Sequence, residues 1–353
     1  MSGFNLRRLG VLMEPEAGNP LEAEGVLNPA AARGPDGHLY LFPRMVAKGN
    51  YSRIGIARVR FNDAGDPASV ERLGIALEPE ADYELRSGGG GGCEDPRVTF
   101  VEPLQRYIMS YTAFSENGPR IAFAESEDLL HWKRLGLATC AHWRGIDLCQ
   151  VDDKDASLFP VAIPNSLGQL ELGMLHRPMF AGTRPEETVR HPGFRRVDLE
   201  RESIWISYCG GALKDRKTLE LRQFTSHHRL ATPVSPWERL KIGAGTPPIL
   251  TKTWLADRVS RGQRGGEPHR GKASSVLLGR GHGAVQGASA GDPLPVGGAG
   301  AEAGTARGAQ WNCRQRGLSD GDRPAGRSGD ARPFRCLLWH GRLPGWRGAA
   351  RRA

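Results

Sequence analysis

Apolar and polar residues alternate in short runs along the first two thirds of the chain. The runs fall at Leu39–Phe42, Ile54–Phe61, Val98–Val101, Tyr107–Phe114, Ile121–Ser126, Ala156–Ile163, Leu170–His176 and Ser203–Tyr208. Alternation with period two places every second side chain on one face, which is the signature of a half-buried strand. Clusters of turn-forming residues separate the runs: Gly34-Pro35-Asp36-Gly37, Asn62-Asp63-Ala64-Gly65, Glu116-Asn117-Gly118-Pro119 and Asn165-Ser166-Leu167-Gly168. No stretch of about 12 residues keeps a 3.6-residue period. Many short strands with regular turns predict an all-β sandwich, barrel or propeller.

The alternation ends near Lys252, and composition changes there too. Of 48 basic and 39 acidic residues in the 353-residue chain, residues 253–353 hold 16 Arg and 1 Lys against 7 acidic groups, a net +10. The first 252 residues keep 31 basic and 32 acidic groups, a net −1. The overall charge of +9 therefore belongs to the tail, and a neutral body gives no reason to expect a nucleic-acid partner. The tail holds 21 of the 47 glycines and no Ile or Tyr. Such a segment has little with which to build a core, so it is expected to be largely disordered.

No apolar run approaches the roughly 20 residues of a membrane span. The N-terminal Met-Ser-Gly-Phe-Asn-Leu-Arg-Arg lacks the apolar stretch of a secretion signal, so a cytoplasmic location is expected. The six cysteines form no Cys-x-x-Cys pair and none stands with His at metal-ligand spacing. Reduced thiols and no metal or other cofactor are expected.

Several constellations carry chemistry. Glu94-Asp95-Pro96-Arg97 sets two carboxylates and a guanidinium around a proline that fixes the backbone. Glycosidic cleavage needs one carboxyl group to protonate the departing oxygen. Taken alone, acidic-Pro-Arg is common at turns, and its meaning depends on its company. Gly88–Gly92 runs directly into it, either as a flexible linker or as a loop whose backbone approaches a ligand. Further along stand Lys154-Asp155-Ala156-Ser157-Leu158-Phe159-Pro160, Leu175-His176-Arg177-Pro178 and Trp237-Glu238-Arg239-Leu240-Lys241-Ile242-Gly243-Ala244-Gly245-Thr246-Pro247-Pro248. Upstream lie Leu27-Asn28-Pro29-Ala30 and Tyr51-Ser52-Arg53-Ile54-Gly55. His227 and His228 belong either to a cavity or to a polar loop.

In this order, from about Asn28 to Lys252, the segments resemble glycoside hydrolase family 130, the mannoside phosphorylases and related β-mannosidases. Ser126-Glu127-Asp128-Leu129-Leu130-His131-Trp132 also resembles the blade-edge turn of sugar-cleaving propellers. The resemblance implies a five-bladed β-propeller with its active site at the axial cavity, of which residues 1–252 form about the first four blades. By position, Asp95 matches the family's general acid. Asn28, Arg44, Arg53, Glu94 and His176 fall among its sugar-binding positions. Lys154, Asp155, Arg177 and Lys241 match the phosphate cluster of its phosphorolytic members. The implied reaction is inverting cleavage of a β-mannoside, with a mannose-containing oligosaccharide and inorganic phosphate as partners and mannose 1-phosphate as product. Several cationic donors facing a phosphate suit that role, because Arg grips phosphate bidentately. Some members carry Arg-Asn where this chain has Lys154-Asp155. If Asp155 orients Lys154 the phosphate site survives; if it activates water, the enzyme is a hydrolase. An inactive sugar-binding protein is the reading of another class. Assembly into a homo-oligomer is compatible with all three.

The resemblance stops where a strand should follow, and back-translation accounts for the break. Codons for Thr253–Arg261 can be written so that a start one base later reads H-G-W-L-I-V-Y-H-G. The same offset turns Trp311–Arg323 into G-T-A-V-N-V-V-F-P-T-G-I-D, and Pro333–Trp346 into R-F-D-V-Y-Y-G-M-A-D-Y-R-V-G. These peptides alternate as strands do. A frameshift near Lys252–Trp254 is therefore expected, leaving the propeller incomplete and the tail with little strand.

Overall fold

The computed structural model describes residues 6–180, 202–215, 221–234, 238, 241–250, 254–262, 275–279, 308–313 and 336–341. Its strands are β1 (Leu6–Met13), β2 (Gly25–Arg33), β3 (Leu39–Ala47), β4 (Tyr51–Phe61), β5 (Pro67–Leu77), β6 (Gly92–Val101), β7 (Arg106–Ser115), β8 (Gly118–Ser126), β9 (Lys133–Leu137), β10 (Thr139–Cys140) and β11 (Asp152–Leu158). They continue with β12 (Ile163–Pro164), β13 (Leu170–Met179), β14 (Ile204–Cys209), β15 (Gln223–Phe224), β16 (Ser226–Ala231), β17 (Lys241–Ala244) and β18 (Ile249–Leu250). The last four are β19 (Trp254–Gly262), β20 (Ser275–Gly279), β21 (Gly308–Cys313) and β22 (Cys336–Gly341). Among the described residues one short α-helix, α1 (Gly211–Asp215), and two 3-10 turns, Pro20–Glu22 and Leu148–Gln150, accompany them, so the described part is mostly β-strand.

Antiparallel pairing sorts most of these strands into sets. The sets are β2-β3-β4-β5, β6-β7-β8-β9, β11-β13-β14-β16, β17-β19 with β18 and β20, and β21-β22 with β1. The first strands of neighbouring sets lie side by side, β2 against β6, β6 against β11, β11 against β17, and β21 against β2. Apolar faces meet between consecutive sets. Tyr40, Phe42 and Ile54 pack with Val98, Met109 and Tyr111. Ile108, Ile121 and Phe123 pack with Leu172, Met174 and Phe224, and Leu175, Ile206 and Tyr208 pack with Ile242 and Ala244. Each fully buried side chain of this size contributes about 1.5–3 kcal/mol, so these interfaces hold the sets together.

The Ser126–Trp132 turn shows how one set is clipped to the next. Ser126 Oγ accepts from Leu129 N at 2.8 Å, and Asp128 Oδ1 accepts from the amides of Leu130 and His131 at 2.8 and 2.9 Å. Those bonds hold Leu129 at φ 70° and present Trp132 edge-on to Phe42, 5.4 Å between ring centres.

The five-glycine run is not a free linker. Its backbone packs against backbone of the first set: Gly90 N donates to Gly49 O at 2.7 Å and Ser52 N donates to Gly91 O at 2.8 Å. A Cβ on Gly92 would stand 2.1 Å from Ser52 O, and Gly92 sits at φ 108°. Only glycine fits there. The run brings β4 and β6 into parallel register at Ser52 and Gly92.

The expected strand Ala156–Ile163 is divided, because Pro160 follows Leu158-Phe159 and cannot donate to the ladder; β11 ends at Leu158 and β12 starts at Ile163. Most of residues 253–353, for which disorder is expected, lies outside the described residues. Within that segment β19, β20, β21 and β22 are described, where little strand is expected, and β22 pairs with β1 from Leu6–Gly341 to Met13–Cys336.

Candidate active site

One backbone device recurs in three sets. In β2, Leu27 pairs with Arg44 and Ala30 with Phe42, so Asn28 and Pro29 together face one residue. In β6, Glu94 pairs with Thr112 and Arg97 with Ser110, so Asp95 and Pro96 do the same. In β11, Lys154 pairs with Arg177 and Ser157 with Leu175, leaving Asp155 and Ala156 opposite His176. These are β-bulges, which re-aim a side chain out of the ladder. The first bulged residue is left-handed each time: Asn28 at φ 44°, Asp95 at 48° and Asp155 at 59°. Asn and Asp are the non-glycine residues that tolerate this region, which accounts for their presence at all three. Register also makes Arg44 and Arg177 counterparts, each opposite the residue before its bulge.

The bulges of β2 and β6 converge on Asp95. Asn28 Nδ2 donates to Asp95 Oδ1 at 2.8 Å, and Arg44 Nη1 donates to the same oxygen at 3.2 Å. Arg44 is itself buried and held by Ser52 Oγ at 2.9 Å, Asn50 Oδ1 at 3.1 Å and Glu94 Oε1 at 2.8 Å. Lys154 Nζ reaches Glu94 Oε2 at 3.4 Å and lies 4.9 Å over the Phe114 ring. Arg97 reaches across to β17's end, donating to Gly245 O at 2.5 Å. Burial pushes the Asp95 carboxyl up. The guanidiniums of Arg44 and Arg97, the Asn28 amide and the Lys154 ammonium outweigh burial and hold it below the usual aspartate range.

A second group forms around the third bulge. Arg177 Nε donates to Asp155 Oδ2 at 2.6 Å, and Glu202 pairs with the same guanidinium. Burial pushes Asp155 up, Arg177 and Arg97 pull it down, Asp95 pushes it up again, and the net is below the ordinary value. Gly243 closes this group: a Cβ there would stand 2.1 Å from Asp155 Oδ2 and 3.1 Å from Arg177 Nε. Lys241 opens the same strand two residues earlier, on the same face as Gly243.

Two expected sugar contacts are placed elsewhere. Arg53 pairs with Met45 while Arg44 pairs with Ile54, so the two arginines leave opposite faces of their sheet. Arg53 instead grips Glu78 with Nε and Nη2 at 2.7–3.0 Å and lies 5.6 Å from the Tyr51 ring centre. His176 is wholly buried, with Nδ1 2.6 Å from Asp153 Oδ2 and Nε2 2.7 Å from Ser207 Oγ. Ser207 Oγ is also 2.7 Å from His227 Nδ1. Asp153 Oδ1 accepts from Arg177 N at 3.1 Å, so this buried chain supports the backbone of Arg177. His228 meets Ser226 Oγ at 3.0 Å on the same polar strand. Ser52, Asn50, Asp153, Ser207 and Gly243 are supports that only the fold reveals. Among the described residues no group of three His, Cys, Asp or Glu is placed to hold a metal ion.

Residues 7–256 match the model of glycoside hydrolase family 130, described as beta-1,4-mannooligosaccharide phosphorylase. The chain is 29% identical over 259 residues to the 1,2-beta-oligomannan phosphorylase of Thermoanaerobacter sp. (strain X514), covering 70% of this chain and 69% of that protein. In structure it is similar to the beta-1,2-mannobiose phosphorylase of Listeria innocua, solved with beta-1,2-mannobiose, with a TM-score of 0.52 and 18% identity over 78% of this chain and 79% of that one. Three carboxylates, an amide and a set of guanidinium and ammonium groups thus meet at the first strands of adjoining sets, in a chain with those relatives.

Proposed function

Since the chain belongs to glycoside hydrolase family 130, we propose that it cleaves a β-linked manno-oligosaccharide with inversion, using inorganic phosphate and releasing α-mannose 1-phosphate. The observation that carries this reading is the Asp95 carboxyl set among Arg44, Arg97 and Lys154 and next to the buried Glu94, beside the Arg177 group. A phosphate oxygen attacks C1 on the face opposite the leaving oxygen. The C1–O bond breaks, and Asp95 delivers its proton to the departing oxygen. Phosphate brings its own negative oxygen, so no protein base is required. Lys154, Arg177 and Lys241 hold it, and Asp155 orients Arg177. The cations beside Asp95 favour its ionised form; phosphate charge at the same site offsets theirs, and the carboxyl regains affinity for the proton it must donate.

The strand sets are read as blades of a five-bladed propeller that its C-terminal region leaves incomplete. Residues 253–353 are read as out of frame, and resequencing the gene across the codons for Thr251–Leu255 tests that. A cytoplasmic site of action suits a phosphorolytic product that is already phosphorylated.

A second reading, hydrolysis, is favoured by one specific contact, the carboxylate of Asp155 at 2.6 Å from Arg177 Nε where phosphate would bind. Asp155 would then act as base on water. Incubation with β-1,2- and β-1,4-mannobiose, with and without phosphate, separates the two. Phosphate-dependent mannose 1-phosphate supports phosphorolysis. Free mannose formed equally in both supports hydrolysis, and binding without turnover supports a sugar-binding protein.

A further inference from the structure

We propose that Asn28 is a positioning residue for Asp95: one N–H of its amide fixes Oδ1 as a permanent acceptor, so the proton leaves from Oδ2. The inference rests on the reading of Asp95 as the acid. Asn28 Nδ2 is 2.8 Å from Asp95 Oδ1, and Arg44 Nη1 adds a second donor to the same atom at 3.2 Å. No described residue hydrogen-bonds Oδ2. A carboxyl group whose one oxygen already accepts two hydrogen bonds carries its proton on the other. One of the two N–H donors of the Asn28 amide is committed to Asp95, which ties the side chain to the carboxylate.

The backbone makes this pairing unavoidable. Asn28 and Asp95 sit at the same position of the same bulge in adjoining first strands, β2 and β6, each left-handed. Re-aimed by equivalent bulges, their side chains meet. The third bulge places Asp155 likewise, but that carboxylate is taken by Arg177. The charged groups that act on Asp95 are Arg44 from β3, Arg97 and the neighbouring Glu94 from β6, and Lys154 and Asp155 from β11. Asn28 is the uncharged member, and its removal changes Asp95 without altering net charge.

Two variants test the role. Asn28→Gly deletes the amide while accepting φ 44°. Asn28→Asp keeps the shape and tolerates the same backbone, replacing the donor by an acceptor. Carbon-13 NMR of the full chain labelled at aspartate carboxyls, with Asp95 assigned through its loss in Asp95→Asn, reads proton affinity without requiring turnover. The expected result is a rise in Asp95 proton affinity of about ten-fold in Asn28→Gly, the scale of a lost hydrogen bond to a charged group, and more in Asn28→Asp. An Asp95 resonance that titrates unchanged in both variants overturns the proposal. Where mannoside turnover is measurable, kcat falls and its alkaline limb moves to higher pH, with KM for the oligosaccharide nearly unchanged. A raised KM with an unmoved pH profile would return Asn28 to sugar binding. A shifted resonance in a chain without turnover leaves the pairing intact and removes the acid assignment instead.

Discussion

Asp95 and Asp155 occupy the same place in adjoining strand sets, yet their surroundings set them to different work. Both are the first residue of a bulge, both are left-handed, and both carboxyls are held below their ordinary range. Asp95 meets an amide and one guanidinium on a single oxygen, which leaves the other oxygen available to a substrate. Asp155 is bound side-on by Arg177 and backed by the Gly243 main chain, which leaves it little freedom. The bulge decides where a carboxylate points, and the neighbours on the next set decide what it can do.

Substitution should separate the two carboxylates most sharply. Asp95→Asn is expected to lower mannoside turnover by about 10²–10⁴-fold, the scale of losing a general acid. Asp155→Asn should cost only about ten-fold if Asp155 merely orients Arg177; a loss as large as that of Asp95 would mean it activates water. Steady-state release of mannose 1-phosphate and of mannose reads both. Arg177→Ala is expected to raise KM for phosphate by about 10–10²-fold, as a charge-assisted hydrogen bond is worth roughly 1.5–3 kcal/mol, while KM for the oligosaccharide changes little. An equal rise in both constants would dissolve the distinction between the acid end and the anion end. Gly92→Ala should destabilise the chain by about 1–3 kcal/mol in denaturant unfolding, through overpacking on Ser52 O, and loosen Asp95 from Arg44.

The smallest effect concerns pH. Burial, with His176 and His228 nearby, lowers His227 to about 4 from 6.5. The folded chain thus binds fewer protons there than the unfolded one. Its contribution to stability is intact above pH 6.5 and is lost as pH falls from 6.5 towards 4. His227→Gln should flatten thermal stability across that window; an unchanged slope would mean other groups govern it.

The acidic cluster was legible because its residues form contiguous motifs. Glu94-Asp95 and Lys154-Asp155 are readable as pairs, and the structure brings Asn28, Arg44, Glu94, Asp95 and Lys154 together. Arg53 was not legible, because a neighbour in sequence leaves the opposite face of a strand, and only register tells which. His176 lies one residue from Arg177, and the same alternation sends it into the interior. Strand β2 escaped the alternation pattern since Asn28-Pro29 interrupts the period at its bulge. Strand β5 escaped it because its outer position leaves most residues partly or fully exposed, with little apolar signal. The sheet pairing of β19 to β22 has no counterpart in the written tail's composition.

The glycine run has a consequence for how this chain tolerates change. Across it, the first and second strand sets are tied by main-chain bonds, Gly90 to Gly49 and Ser52 to Gly91. Main-chain groups are the same whatever side chains surround them. The spacing between Arg44 and Asp95 is thus anchored to atoms that substitution elsewhere cannot remove. The outer strands are free to vary in sequence, and with them the surface the protein shows its surroundings, while Asp95 stays in register with the Arg44 guanidinium.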